Sequence, residues 1–292
     1  MTDFAIVDAF TTTPFMGNAA AVVLLDAFPE DAVLQLVAAQ MNLSETAFVV
    51  KARHPERSEG SISSSPDPSA SPQDDKTEYD LRWFTPTIEV NLCGHATLAA
   101  AHILHQTGRI KSGDMVTFHT LSGELRARVL EKTVELDFPL LAGEKAKPPA
   151  ALKALNVDIL ACERNRDNYL VEVTDFAALT ACKPNFKKLA KMDMQGVIVT
   201  TATGIAGYDF ASRYFAPNCG IDEDPVTGSA HCFLAPYWAK KLSKLRFHAL
   251  QASKGEGILD VTIKGQRVLI AGNAVTTLKG QLQWPKIKGK AA

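Results

Sequence analysis

Apolar residues along the chain fall into short runs of two kinds, one dense enough for buried strands and one spaced for helices. Residues 4–9 and 19–25 are almost wholly apolar or small and flank a turn-forming stretch at 11–17, which predicts two buried strands. After Pro29, residues Val33, Leu36, Val37 and Gln40 fall at helical spacing, with Ala38 and Ala39 beside them, and predict a helix over 30–41. Residues 42–50 then run from that helix end into an aromatic and β-branched strand, leaving Glu45 at the junction. A matching strand is expected over 79–85, closed by Thr85-Pro86. Between these strands, residues 52–78 are dominated by Ser, Pro, Asp, Glu and Gly, with Ile62 almost the sole large apolar side chain. That composition predicts an unstructured insertion at a hairpin tip, away from any chemistry.

The segment 96–107 is rich in alanine and nearly free of charge, so it predicts a helix enclosed on all sides by sheet. The same device recurs: strands over 160–162, 169–173, 196–201 and 209–215 precede a turn at 224–229 and a second weakly charged helix over 230–239. Two similar α+β halves follow. Pro139, Gly143, Pro148 and Pro149 interrupt periodicity and set the boundary at 140, giving halves of 1–140 and 141–276. The last strands, over 265–282, could finish the second half, or a strand over 277–287 could cross back to complete the first. Periodicity leaves both topologies open.

Composition narrows the function classes. Among 292 residues, 46% are hydrophobic and 22% charged, and 31 basic against 32 acidic side chains give 31 − 32 = −1. Such balance offers no compositional case for a nucleic-acid partner, and no apolar stretch is long enough to span lipid. The first residues lack a cationic stretch followed by an apolar one, so export is not expected. Five cysteines, Cys93, Cys162, Cys182, Cys219 and Cys232, form no close pair and fit a reducing, cytoplasmic compartment.

Two glycine-bearing turns, Gly94-His95-Ala96-Thr97 and Thr227-Gly228-Ser229-Ala230, each open a weakly charged helix. First-turn amides lack acceptors and the helix dipole favours an anion there, so each turn is either an ordinary cap or a carboxylate cradle. His95 at such a start is expected to be neutral at pH 7, whether as a donor to a ligand or a satisfied core histidine. Glu45, beside Ser44, Thr46 and the apolar Ala47 and Phe48, is either a capping glutamate or a desolvated general acid and base. Asp224, last of three consecutive acids, either favours a helix start or partners the proton carrier. Cys93 precedes a helix start and could be a base, but the opposite turn carries no cysteine and Cys232 lies inside the helix, so both read as core. Metal ligands at suitable spacing are not apparent.

Several of these blocks together resemble one family. Gly17-Asn18, Asn42-Leu43-Ser44-Glu45-Thr46-Ala47-Phe48, Arg82-Trp83-Phe84-Thr85-Pro86 with Glu89, Cys93-Gly94-His95-Ala96-Thr97 and Asp224-Pro225-Val226-Thr227-Gly228-Ser229-Ala230 are similar to the phenazine-biosynthesis isomerase (PhzF-like) family. The resemblance implies a diaminopimelate-epimerase-like fold, two halves in which curved sheet wraps a central helix, with a cleft between them. It implies a cofactor-independent isomerase moving a proton within a small, cyclic or unsaturated carboxylate, without metal. By resemblance Glu45 carries the proton, His95, Asp224 and Ser229 assist, and the amides of Gly94 and Gly228 receive the substrate. A homodimer is implied too. Ala19 stands where the family commonly has proline, and the insertion is longer than the family's, but neither removes a chemical group. An amino-acid epimerase or racemase using Cys93 and a noncatalytic ligand-binding protein are the alternatives.

Overall fold

The computed structural model describes residues 2–52 and 77–284. The expected insertion therefore lies outside the described residues apart from its edges, as do positions 285–287 of the possible crossing strand. The first strands are β1 (Thr2–Ala9), β2 (Asn18–Leu25), β3 (Glu45–Lys51), β4 (Thr77–Phe84), β5 (Glu89–Val90), β6 (Met115–Thr120), β7 (Gly123–Val129) and β8 (Val134–Pro139), with helices α1 (Asp31–Met41) and α2 (Gly94–Gln106). They are followed by β9 (Glu144–Lys145), β10 (Ala161–Arg164), β11 (Asn168–Glu172), β12 (Gly196–Ala202), β13 (Phe210–Ala216), β14 (Ile221–Asp224), β15 (Arg246–Gln251), β16 (Gly257–Lys264) and β17 (Arg267–Gly272). Helices α3 (Phe176–Ala181), α4 (Phe186–Leu189) and α5 (Gly228–Leu242) are interspersed, and β18 (Ala274–Leu282) ends the series.

One pairing plan is used twice. In the first set β1 is antiparallel to β2, β2 parallel to β3, β3 antiparallel to β4, β4 parallel to β6, and β6, β7 and β8 form a meander. In the second, β10 is antiparallel to β11, β11 parallel to β12, β12 antiparallel to β13, β13 parallel to β15, and β15, β16 and β17 form the equivalent meander. Strands β8 and β17 pair antiparallel and join the sets. The outermost strands are exchanged. Strand β9 follows β8 in the chain but pairs with β10, whereas β18 follows β17 and crosses back to pair with β1.

Apolar runs on both faces of β2 and β3 are explained by what covers them. On one face lies α2, whose residues from His95 to Ala101 are all buried, packed against β1, β2, β3, β7, β8 and β18. On the other, Leu34 and Ala38 of α1 meet Val23, Phe48 and Phe84. Leu36, expected on the buried face of α1, is 65% exposed, and Leu34 takes that place because the helix turns its 33, 34 and 38 positions inward. The second set is covered likewise: α3 and α4 contribute Leu179 and Leu189 to a cluster with Val197, Val199 and Phe215. Cys93 and Cys232 are buried, as expected for core thiols.

The duplication is also written in sequence: Arg82-Trp83-Phe84-Thr85-Pro86 recurs as Arg213-Tyr214-Phe215-Ala216-Pro217. Each arginine bonds a glutamate of the next strand through two parallel contacts, Arg82 Nε and Nη2 to Glu89 at 2.7 Å each and Arg213 Nε and Nη2 to Glu223 at 2.8 Å each. Each guanidinium also stacks on the phenylalanine two residues on, at 5.1 Å for Phe84 and 4.9 Å for Phe215. These clamps hold the short strands β5 and β14 that lead into α2 and α5.

Candidate active site

Backbone constraints deliver Asn18, Glu45 and the helix-start residues Cys93 and Thr227 to the seam between the sets. Gly17 adopts φ +72°, and a Cβ there would lie 2.2 Å from the Ala9 carbonyl oxygen, so only glycine admits the turn that brings Asn18 in. Asn42 closes α1 at φ +51°, after which Glu45 becomes the first residue of β3. Cys93 is the N-cap of α2 and Thr227 that of α5, and neither side chain caps its helix. Neither first turn carries an acid. The acidic run at 222–224, expected to favour a helix start, instead forms β14 and its end. Both helices begin at their glycines, two residues earlier than the periodicity predicts, because a glycine at the start is read as turn by pattern alone.

The two helix starts meet. A Cβ on Gly94 would stand 3.6 Å from Gly228 Cα, and one on Gly228 3.8 Å from Gly94 Cα. Two uncapped, positively polarised ends thus converge with no side chain between them. Glu45 Oε2 lies 3.2 Å from His95 Nε2, and both side chains are largely buried. The pair is not aligned as a hydrogen bond, so each of these atoms lacks a partner among the described residues. On the other ring edge, His95 Nδ1 is 3.4 Å from Cys93 Sγ and 3.3 Å from Asn18 Nδ2. Asn18 Nδ2 also donates to Asp224 Oδ1 at 2.8 Å and to the Val226 carbonyl at 3.0 Å. Asp224 therefore reaches the histidine through Asn18 and not directly. Its other oxygen accepts from Thr227 Oγ1 at 2.6 Å. Ser229 is exposed on the first turn of α5.

Burial sets the charges. It pushes the Glu45 carboxyl up to about 7, with Asp224 adding repulsion and the Cys93 thiol partly offsetting both. Burial pushes Asp224 up to about 6 against the stabilising bonds from Thr227 and Asn18. It lowers His95 to about 3 and holds the Cys93 thiol well above its usual range. At neutral pH the site thus contains a neutral imidazole, a protonated thiol and a carboxyl group balanced between its two forms.

Glu45, Cys93 and His95 are the one group of three potential metal ligands among the described residues, their atoms within 4.8 Å of one another. The sulfur approaches Nδ1 while the carboxylate approaches Nε2, so the closest contacts do not converge on one ring nitrogen as an ion would require. Sequence reasoning missed the roles of Asn18, Thr227 and Gln251. Gln251 accepts from the Thr227 amide at 2.8 Å and donates to the Asp224 carbonyl at 2.8 Å, holding the turn before α5. It comes from the end of β15, and no local pattern marks it. The available signal for Thr227 was its place immediately before Gly228, as Cys93 stands immediately before Gly94.

With this geometry in hand, comparison with known proteins is specific. The family model described as "Phenazine biosynthesis-like protein" matches residues 7–280. An uncharacterised isomerase of Halalkalibacterium halodurans is 44% identical over 283 residues, covering 96% of this chain and 98% of its own. Phenazine biosynthesis-like domain-containing protein 2 of Mus musculus is 39% identical over 299 residues, covering 95% and 97%. The crystal structure of a PhzF-family phenazine biosynthesis protein from Enterococcus faecalis superposes with a TM-score of 0.84 at 36% identity, covering 97% of this chain and 99% of that one. The chain belongs to the phenazine biosynthesis-like (PhzF-like) family, within the diaminopimelate-epimerase-like fold superfamily.

Proposed function

We propose that this protein is a cofactor-independent isomerase that moves a proton within a small, cyclic or unsaturated carboxylate, with Glu45 as the general acid and base. Its similarity to the family's isomerases supports an isomerase-type enzymatic activity. One observation carries the finer reading: Glu45 Oε2 and His95 Nε2 face each other at 3.2 Å, buried and unpaired, beside two converging uncapped helix starts. Unpaired buried polar atoms cost free energy unless a ligand completes them.

In the mechanism, the substrate carboxylate accepts from the free amides at Gly94 and Gly228, assisted by the exposed Ser229 hydroxyl. Glu45 in its ionised form takes a proton from carbon, and the electron pair spreads into the adjacent unsaturated system. The same carboxyl returns the proton at another carbon of that face. A carboxyl near neutrality does both steps without a large energetic penalty in either direction. Neutral His95 donates from the ring and does not compete for the proton, given that its own affinity is far lower. Asp224 stays paired to Thr227 and Asn18 and holds the opposite wall.

The Cys93 epimerase reading is disfavoured by a thiol held protonated and by Thr227, not cysteine, at the equivalent helix start. The test is a panel of small carboxylates incubated in deuterium oxide, with carbon-bound exchange read by mass for wild type and Glu45→Gln. Exchange by wild type and not by the variant is expected. Binding of several carboxylates with no exchange by wild type would leave a ligand-binding protein instead.

A further inference from the structure

Two donors crowd one atom of this site, His95 Nδ1, and that crowding fixes where a proton can be. Asn18 is 1% exposed, and its amide nitrogen faces three groups at once: the Asp224 carboxylate, the Val226 carbonyl and His95 Nδ1. The first two are acceptors, so the amide is oriented with its NH2 towards them; turned round, Oδ1 would confront two acceptors. The same NH2 therefore faces His95 Nδ1. The protonated thiol of Cys93 lies at 3.4 Å on the same nitrogen. A hydrogen on Nδ1 would oppose the amide's two hydrogens, whereas a bare Nδ1 shares one of them with the acceptors already named. A neutral imidazole with Nδ1 bare carries its hydrogen on Nε2, the atom 3.2 Å from Glu45 Oε2.

We propose that Asn18 is the positioning residue that holds His95 in the neutral form protonated on Nε2, the ring edge on the Glu45 side. This rests on the isomerase reading only for its purpose, not for its test. Asn18 acts across the seam: it comes from β2 of the first set and is fastened to Asp224 and Val226 of the second, so its amide faces His95 only while the sets are together. Burial of His95, which keeps the ring neutral, agrees with the assignment. Asn18 Oδ1 is buried without a partner among the described residues, a cost that the fold accepts for the nitrogen's three contacts.

The experiment is nitrogen NMR of protein labelled at its seven histidines, without ligand, with His95 assigned by its loss in His95→Gln. Wild type at pH 7 should show Nδ1 as a bare, pyridine-type nitrogen and Nε2 as protonated. Asn18→Asp, which replaces the donor by an acceptor, should move the proton to Nδ1, and Asn18→Ala should give a mixture of the two forms. A wild-type ring protonated on Nδ1 overturns the proposal with no variant needed. So does an Asn18→Asp or Asn18→Ala spectrum identical to wild type, which would leave the ring to Cys93 alone. Because the ring is read in the empty protein, absence of any exchangeable substrate would defeat the isomerase reading and leave this result standing.

Discussion

The two sets of strands share a scaffold and differ in what they present to the seam. Both have the arginine–glutamate clamp, the parallel pairs and a buried helix opening on glycine. Pairing fixes which positions correspond: Ala47 lies opposite Trp83, and Ile198 lies opposite Tyr214. Counting back two residues from each places Glu45 against Gly196. The second set has no carboxyl there, and a Cβ on Gly196 would lie 2.5 Å from the Tyr214 ring, whose hydroxyl donates to Asn168 at 2.9 Å. Cys93 corresponds to Thr227, and His95 to Ser229. The helix after each keeps one shared bond, Thr97 Oγ1 to the Cys93 carbonyl at 2.5 Å and His231 Nδ1 at 2.9 Å from the Thr227 carbonyl. The lesson is that duplication preserved backbone donors on both sides while leaving the carboxyl that faces the histidine, Glu45, on one. In the proposed isomerase, a proton that leaves and returns on the same face of the substrate would follow from such one-sidedness.

The largest expected effect strikes that asymmetry directly. Glu45→Gln keeps the side-chain volume and should lower exchange by about 10²–10⁴-fold while leaving the circular dichroism spectrum and carboxylate affinity nearly unchanged. Turnover within threefold of wild type would sink the assignment of the base. Next come the clamps, where both sets should lose stability and the second should lose more. Arg213, which also donates to the Leu179 and Cys182 carbonyls, should cost about 2–3 kcal/mol as Arg213→Ala, and Arg82→Ala somewhat less, in urea melts. A reversed order would mean the second set is not the more tightly tied.

A third effect follows from the sign of the Glu45 shift. With its folded value raised to about 7 from 4.5, the folded state binds more protons than the unfolded one between those limits. Its contribution to stability is therefore fully present below pH 4.5 and is lost as pH rises through 7. The melting temperature of wild type relative to Glu45→Gln should fall across that window, and a difference flat from pH 5 to 8 would contradict the desolvated carboxyl. His95, lowered to about 3, contributes with the opposite sign: its share is lost as pH falls from 6.5 towards 3. The smallest effect is reserved for the thiol. Cys93→Ala should cost about 1 kcal/mol for the vacated space and leave exchange within about threefold of wild type. A hundredfold loss would restore the two-base epimerase reading.

Much of this was legible in the residues themselves. Charge-poor alanine at 96–101 announced an enclosed helix, the apolar run at 19–25 announced a strand covered on both faces, and the aromatic and β-branched run up to 50 announced another strand. Glu45 stood out because an acid at the head of an apolar strand is unusual. What could not be read was anything depending on contacts distant in sequence. Asn18 meets Asp224 across 206 positions and Gln251 reaches back 24 residues to the Thr227 amide, and neither spacing leaves a local trace. The path of β18 was likewise undecidable, since a strand of mixed composition fits either sheet edge and only the β1 ladder selects one. The inward face of α1 was misjudged because Leu34 and Leu36 are equally apolar and the choice between them is made by Phe48 and Phe84.

The exchanged strands have a mechanical consequence. The polypeptide passes between the sets twice, from β8 to β9 and again from β17 to β18, and the β8–β17 ladder lies between the passes. Molecules built as two beads on one linker gape like a clamshell; this one is stitched at two points along a seam, so admitting a guest must flex the stitched ladder itself. Severing the backbone near position 140 would accordingly leave the first bead without its rim strand, because β18 goes with the other fragment, which keeps its own β9.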